Sequence, residues 1–210
     1  MKDVDERVDE DEEIKVILVG EMGTGKTSLI NTAIGLKFQE KLASTTTNSI
    51  MNKQMTINGK IYSINLWDTI GQEKYRSLTK IFLKGSKIVI FVYDITSKVS
   101  FEELNYWFES TKDIINEKTV MGIVGNKSDL FLKEEVKESD ARALAKEKGY
   151  EFALTSAKNS TIFCEFLEKL IKIYLGEEVC EDEDDNNNNK KKDKIKIGNN
   201  DKTKVKKKCC

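Results

Sequence analysis

Ile14-Lys15-Val16-Ile17-Leu18-Val19 runs directly into Gly20-Glu21-Met22-Gly23-Thr24-Gly25-Lys26-Thr27, and this stretch decides the fold. The first six residues form a short apolar run of strand character, and a helix-length amphipathic run starts at Lys26. Between them the residues fit G-x-x-x-x-G-K-[ST]. A backbone that must curl so that successive N–H groups face a phosphate needs glycine, which has no Cβ. The helix beginning at Lys26 points its positive N-terminal end at the same anion. In such a loop Lys26 reaches the outer phosphates and Thr27 holds Mg²⁺ through its hydroxyl, with Gly20, Glu21, Met22, Gly23, Thr24, Gly25 and Ser28 lining the phosphate site. A glycine-rich turn with a surface lysine would share the composition but not the strand before it and the helix after it. The loop alone does not choose ATP from GTP.

Working outward, β-rich apolar runs at 14–19, 49–57, 60–67, 88–93, 121–125 and 152–154 alternate with helix-length runs at 26–33, 101–116, 133–148 and 160–175. Asn58-Gly59 is the strongest short hairpin signal, so the second and third strands are expected to pair antiparallel. Gly149 is expected to cap the third helix at its C-terminus. The unbroken run Ile88-Val89-Ile90-Phe91-Val92 suits a strand covered on both faces, as in a parallel sheet flanked by helices. The expected organisation is one α/β domain over 14–176, an acidic disordered extension over 1–13 and a polar disordered tail over 177–210.

Charge bears on that organisation more through its distribution than through its sum. The 210 residues carry a net charge of −1, so no global field argues for nucleic acid as a partner. Residues 1–13 hold eight acidic and two basic side chains, a local charge of −6, and residues 190–208 hold ten lysines and two aspartates, a local charge of +8. Runs of this kind are usually solvated. The start does not resemble a signal peptide, since the first apolar run is short and follows acid. Nor does any stretch approach the length of a membrane-spanning helix. Cys164 and Cys180 are isolated and Cys209-Cys210 are the last two residues, which suggests a reducing, cytosolic setting. In that setting the N-x-[ST] matches at Asn126 and Asn159 are chance. With no histidine in the chain, imidazole is excluded as a catalyst.

Three further runs each follow a strand. Trp67-Asp68-Thr69-Ile70-Gly71-Gln72 places a carboxylate at a strand end, where Asp68 can act in the magnesium shell. The Gly71 N–H can approach a γ-phosphate and Gln72 can orient an attacking water. A lone Asp is often a helix N-cap, but not one with Gly71 and Gln72 at this spacing. In Asn126-Lys127-Ser128-Asp129 the last carboxylate can accept two hydrogen bonds from guanine, and adenine lacks that donor pattern. In Ser156-Ala157-Lys158 the Ala157 N–H can meet the guanine carbonyl. Asn-Lys-x-Asp is also an ordinary turn composition. The four runs together, each just beyond a strand, mark a ligand crevice at the C-terminal ends of an open sheet.

With these runs in place the chain resembles the Ras-like small GTPases over 14–175, and within them the Rab branch. The branch features are WDTIGQEKYRSL from Trp67, VYDIT from Val92 and the terminal Cys209-Cys210. The resemblance implies the three-layer P-loop NTPase fold, a mostly parallel six-stranded sheet with one antiparallel strand and helices on both faces. Thr45, 19 residues after Lys26, matches the threonine that joins Mg²⁺ when GTP is bound, and Phe38 matches the aromatic ring against the base. It further implies a switch over 37–48 and 69–80 that GTP orders and hydrolysis releases. Gln72 then positions the water, and Lys26 and Mg²⁺ stabilise charge with an arginine lent by a GAP. Implied partners are a GEF, a GAP, a GDP-dissociation inhibitor, a Rab escort protein with geranylgeranyl transferase, and effectors. The implied setting is the cytoplasmic side of an intracellular membrane, with a cytosolic pool, and a role in vesicle trafficking.

The end of the chain is not a C-a-a-X box. The double cysteine looks like the Rab signal for geranylgeranylation of Cys209 and Cys210, two chains that suffice for stable anchoring, with the lysines attracting anionic lipid. A solvated linker ending in exposed thiols is the plainer alternative. Three residues depart from the family pattern. Met22 stands where most relatives carry a small residue, Ile70 replaces the usual alanine before Gly71, and Thr47 replaces a glycine. They suggest intact GTP binding with reduced hydrolysis or GAP response, so a GTP-bound docking module is the competing function. A small-substrate kinase lacks any lid-like arginine-rich segment and leaves Asp129 unexplained.

Overall fold

The computed structural model describes residues 13–40, 42, 45, 47–70 and 81–177. Within them the strands β1 (Glu13–Val19), β2 (Ser49–Ile57), β3 (Lys60–Asp68), β4 (Ile88–Asp94), β5 (Val120–Asn126) and β6 (Glu151–Leu154) form one sheet. Helices α1 (Lys26–Ala33), α2 (Lys98–Glu102), α3 (Leu104–Lys112), α4 (Glu138–Lys148) and α5 (Ser160–Leu175) cover it. The spatial order is β2-β3-β1-β4-β5-β6. β2 and β3 run antiparallel and every other neighbouring pair runs parallel. This is the expected three-layer α/β architecture.

The two-residue side-chain period of β1 explains the layers. Ile14, Val16 and Leu18 pack with Leu29 and Ile30 of α1 and with Phe163, Leu167 and Leu170 of α5. Ile17 and Val19 face the opposite side, with Trp107 and Phe108 of α3 and Ala141 and Ala145 of α4. β4 is buried at every position, which is why its sequence is continuously apolar rather than alternating. Burying each large apolar side chain contributes about 1.5–3 kcal/mol, so these two layers dominate the favourable side of folding.

The hairpin between β2 and β3 forms as expected, with φ of 49° at Asn58 and 82° at Gly59, the left-handed pair that a tight two-residue turn demands. Gly149 caps α4 at φ 70°. Two helix expectations need correction. The run 101–116 is two helices, α2 and α3, and ends at Lys112. Thr111 Oγ1 donates back to the Phe108 carbonyl at 2.8 Å, and Asn116 Oδ1 accepts from the Lys118 N–H at 2.9 Å, drawing the chain into a turn. The run 133–148 does not become helical until Glu138. The Glu135 and Val136 N–H groups donate to the Ile95 carbonyl at 2.9 and 3.2 Å instead of to a preceding turn. Ser128–Lys133 forms a 3₁₀ turn ahead of that stretch.

β1 lies between β3 and β4, so the connections that follow β1 and β3 run to opposite sides of it. A crevice therefore opens beyond the C-terminal end of β1, where Gly20 begins. No helix among the described residues is long and apolar enough to cross a membrane.

Candidate functional site

The Gly20–Gly25 backbone curls over the end of β1. At Gly20 (φ 146°) a Cβ would strike the Val92 carbonyl on β4, and at Gly25 (φ 94°) one would strike the Asn126 side-chain amide. Close approach, and not composition alone, thus requires glycine at both ends of the loop. Lys26 begins α1 and is 4% exposed, its ammonium donating inside the curl to the Gly20 carbonyl at 2.8 Å and the Glu21 carbonyl at 2.9 Å. Burial pulls its pKa down to about 8, against the attraction of Asp68 and Glu21. Thr24 Oγ1 donates to the Glu21 carbonyl at 3.0 Å and pins the turn.

Thr27, one residue further along α1, donates its hydroxyl hydrogen to Asp68 Oδ2 at 2.7 Å. Its oxygen lies 2.7 Å from Thr45 Oγ1, so Thr45 is the donor in that second contact. Three oxygen-bearing side chains thereby meet from a helix start, a strand end and the segment before β2. Asp68 is 2% exposed, and its Oδ1 is buried with no hydrogen-bond partner among the described residues. Burial pushes its carboxyl above the usual range, offset by the Thr27 hydrogen bond and by Lys26. An orphaned carboxylate oxygen beside two hydroxyls is a hard donor set, and it fits Mg²⁺.

The other end of the cleft is built from the loops after β5 and β6. Ser156 Oγ donates to Asp129 Oδ1 at 2.6 Å, and the Lys158 ammonium lies 2.8 Å from Asp129 Oδ2. Burial alone would raise the Asp129 pKa, but hydrogen bonds from Lys158 and Ser156 and the Lys158 charge hold it below the ordinary carboxylate value. Asn126 is fully buried, and its Nδ2 donates to the Thr24 carbonyl at 2.8 Å, which staples this loop to the phosphate loop. Phe38 sits 5.9 Å from the Lys158 ammonium at the same end. The cleft between the two ends has a volume of about 470 Å³, and Gly23, Gly25, Ser28, Lys127 and Ala157 also line it. One concavity therefore offers an anion cradle, a hard-cation donor set and a carboxylate held by a hydroxyl and an ammonium.

The Ras family model matches residues 15–175. The chain is 39% identical over 158 residues to Ras-related protein Rab-21 of Geodia cydonium, covering 75% of this chain and 69% of that one. It is 32% identical over 197 residues to Ras-related protein SEC4 of Saccharomyces cerevisiae, covering 94% and 91%. With Ras-related protein RABA1b of Arabidopsis thaliana the identity is 31% over 210 residues, covering 97% of each. The chain belongs to the Ras family, in its Rab branch.

It is thus a GTP-hydrolysing molecular switch of vesicle trafficking. Membership implies the Mg²⁺ and GTP binding typical of P-loop GTPases and the usual kinds of regulator and effector. In this Rab-type GTPase, Met22 lines the cleft and is 56% exposed, whereas Ile70 is buried. Gly71, Gln72, Cys209 and Cys210 lie outside the described residues, as do most of the extension and the tail.

Two residues escaped the sequence reading. Asp94 ends β4, and its Oδ2 lies 2.6 Å from the Lys127 ammonium. The signal was present, because a carboxylate at a strand end is part of what singled out Asp68. Asn48 Oδ1 accepts from the Ile70 N–H at 2.9 Å, joining the segment before β2 to the one after β3. No local pattern announces it, because it depends on the two segments meeting in space.

Proposed function

We propose that the cleft above β1 holds GTP and GDP in turn, with Mg²⁺ bound by Thr27, Thr45 and Asp68. The observation that carries the proposal is the convergence of those three side chains around the unpartnered Asp68 Oδ1. The loop from Gly20 to Thr27, with Ser28, binds the phosphates, and Lys26 in its charged form balances their negative charge. Asp129 accepts from guanine, Ala157 donates to its carbonyl, and Phe38 with the stems of Lys127 and Lys158 encloses the ring. Ser156 steadies Asp129, and Asn126 ties the two halves of the site together. Mg²⁺ held by these side chains would supply positive charge to the phosphates. Gln72 orients the water that attacks the γ-phosphate, the Gly71 N–H meets that phosphate, and an arginine from a GAP completes the charge stabilisation. A GEF, a GDP-dissociation inhibitor and effectors act on the same switch. Geranylgeranyl chains on Cys209 and Cys210, attached with a Rab escort protein, hold the switch on the cytoplasmic side of an intracellular membrane, with a cytosolic pool.

Nucleotide content after purification, followed by hydrolysis over time, tests this function. Co-purified GDP with one Mg²⁺ is expected, and a chain without guanine nucleotide would defeat it. Met22 favours a second function, a docking module that stays loaded with GTP. Its exposed side chain lines the cleft and could obstruct an incoming arginine, and retained GTP in the purified protein would favour this function.

A further inference from the structure

We propose that Asp94 is a positioning residue that sets the Lys127 side chain along the base end of the cleft. Parallel pairing of β4 with β5 places Asp94 opposite Asn126, one residue from Lys127. Lys127 itself takes φ 66° and ψ 34°, a left-handed conformation that L side chains adopt only at a cost and that persists when the surroundings over-determine it. Those surroundings centre on Asp94. Its Oδ1 accepts from the Thr96 N–H at 2.9 Å and from Thr96 Oγ1 at 2.8 Å, which fixes the carboxylate plane. Its Oδ2 holds the Lys127 ammonium at 2.6 Å, and the two side chains are 10% and 33% exposed. The strand end is tied in turn, because the Asp94 N–H donates to Ser100 Oγ at 3.0 Å and the Ile95 N–H donates to the Asn126 carbonyl at 3.1 Å.

A lysine stem has four carbons and many rotamers, and an unanchored one would sample solvent as often as the cleft. With both ends held, the backbone in the left-handed region and the ammonium on Asp94, the stem becomes part of the cleft wall. Asp94 is not among the residues that line the cleft, whereas Lys127 is. It acts through Lys127, and its effect should appear as a longer residence time of the bound nucleotide.

This proposal rests on the guanine-nucleotide function of the cleft, and release of a fluorescent GDP with excess Mg²⁺ tests both. Full-length wild type, Asp94→Asn, Lys127→Ala, the double variant and Thr96→Val would be compared. Asp94→Asn keeps the size of the side chain and removes its charge, and should speed release about tenfold. The double variant should release no faster than Lys127→Ala alone, a non-additivity that a general loosening of the strand end would not produce. Thr96→Val leaves Asp94 in place, keeps the backbone hydrogen bond to its Oδ1 and removes the hydroxyl one, and should speed release about two- to threefold. It decides the matter by itself if Asp94→Asn does not fold. Wild-type release from both Asp94→Asn and Thr96→Val, or rates that multiply in the double variant, would overturn the role of Asp94 alone. A wild-type chain that bound no GDP would overturn the cleft function as well.

Discussion

Thr27 and Asp68, 41 residues apart in sequence, meet through a 2.7 Å hydrogen bond that joins the first turn of α1 to the end of β3. The bond uses one carboxylate oxygen of Asp68 and leaves the other buried without a donor among the described residues. Desolvating a carboxylate oxygen in that way is costly unless a cation or a donor arrives, and the proposed Mg²⁺ would be that cation.

Replacing Thr27 by alanine deletes one oxygen of that shell while leaving the helix start in place. The Mg²⁺ concentration that half-maximally slows GDP release should rise by at least about tenfold. A Mg²⁺ titration of GDP release checks this, and an unchanged midpoint would move the metal away from Thr27.

Asp129→Ala removes the carboxylate that Ser156 and Lys158 hold at the base end of the cleft. GTP should then bind about 100-fold more weakly, as expected when two buried donors on the base lose their acceptor. Inosine triphosphate lacks the exocyclic amine, and the preference for GTP over it should collapse. Competition binding with the two nucleotides measures both effects.

Burial lowers the Lys26 pKa from 10.5 to about 8, which links stability to pH. Below about pH 8 the folded chain carries the full penalty of a buried charge. Between pH 8 and 10.5 the unfolded chain binds more protons than the folded one, so stability rises with pH. In nucleotide-free protein the Lys26 contribution should grow by about 3 kcal/mol across that window, and Lys26→Met should abolish it. Urea unfolding of the two chains from pH 7.5 upward reads the difference. Nucleotide affinity should change in the opposite direction, since the phosphates need the ammonium charged.

Met22 and Ile70 separate in the structure, one 56% exposed at the cleft and the other 5% exposed. Met22→Ser should raise GAP-stimulated single-turnover hydrolysis by about tenfold, with little effect on the urea midpoint, if an arginine enters past that side chain. Ile70→Ala should cost about 2–3 kcal/mol of stability, because a buried aliphatic chain is removed, and should therefore lower the midpoint. Equal hydrolysis rates in wild type and Met22→Ser, with and without GAP, would clear Met22 as an obstruction.

The paired substitution Cys209→Ser and Cys210→Ser tests the anchor. Protein expressed with the prenylation machinery should move from the membrane pellet to the supernatant, and continued pelleting would rule out the lipids as the anchor.

Much of the fold was legible locally. The left-handed Asn58-Gly59 turn, the glycine cap at Gly149 and the apolar run of β4 are short-range consequences of backbone sterics and burial, and each forms where the sequence places it. The helix run from 133 starts late for a non-local reason, because the Ile95 carbonyl of a distant segment holds the Glu135 and Val136 amides while Glu134 and Lys137 stay extended. The residue types of the site were equally legible, since a phosphate loop and the Asn126–Asp129 run carry their chemistry in their spacing. Their mutual geometry was not. Asn126 reaches Thr24 across 102 residues, Asp94 grips Lys127 only because β4 and β5 are neighbours, and Asn48 meets Ile70 only because β2 folds back on β3. Local dihedral preference and periodicity act over a few residues and are written in the chain itself. Which strand lies beside which, and so which side chain is held by which, depends on the packing of the whole sheet, and the tertiary structure alone decides it.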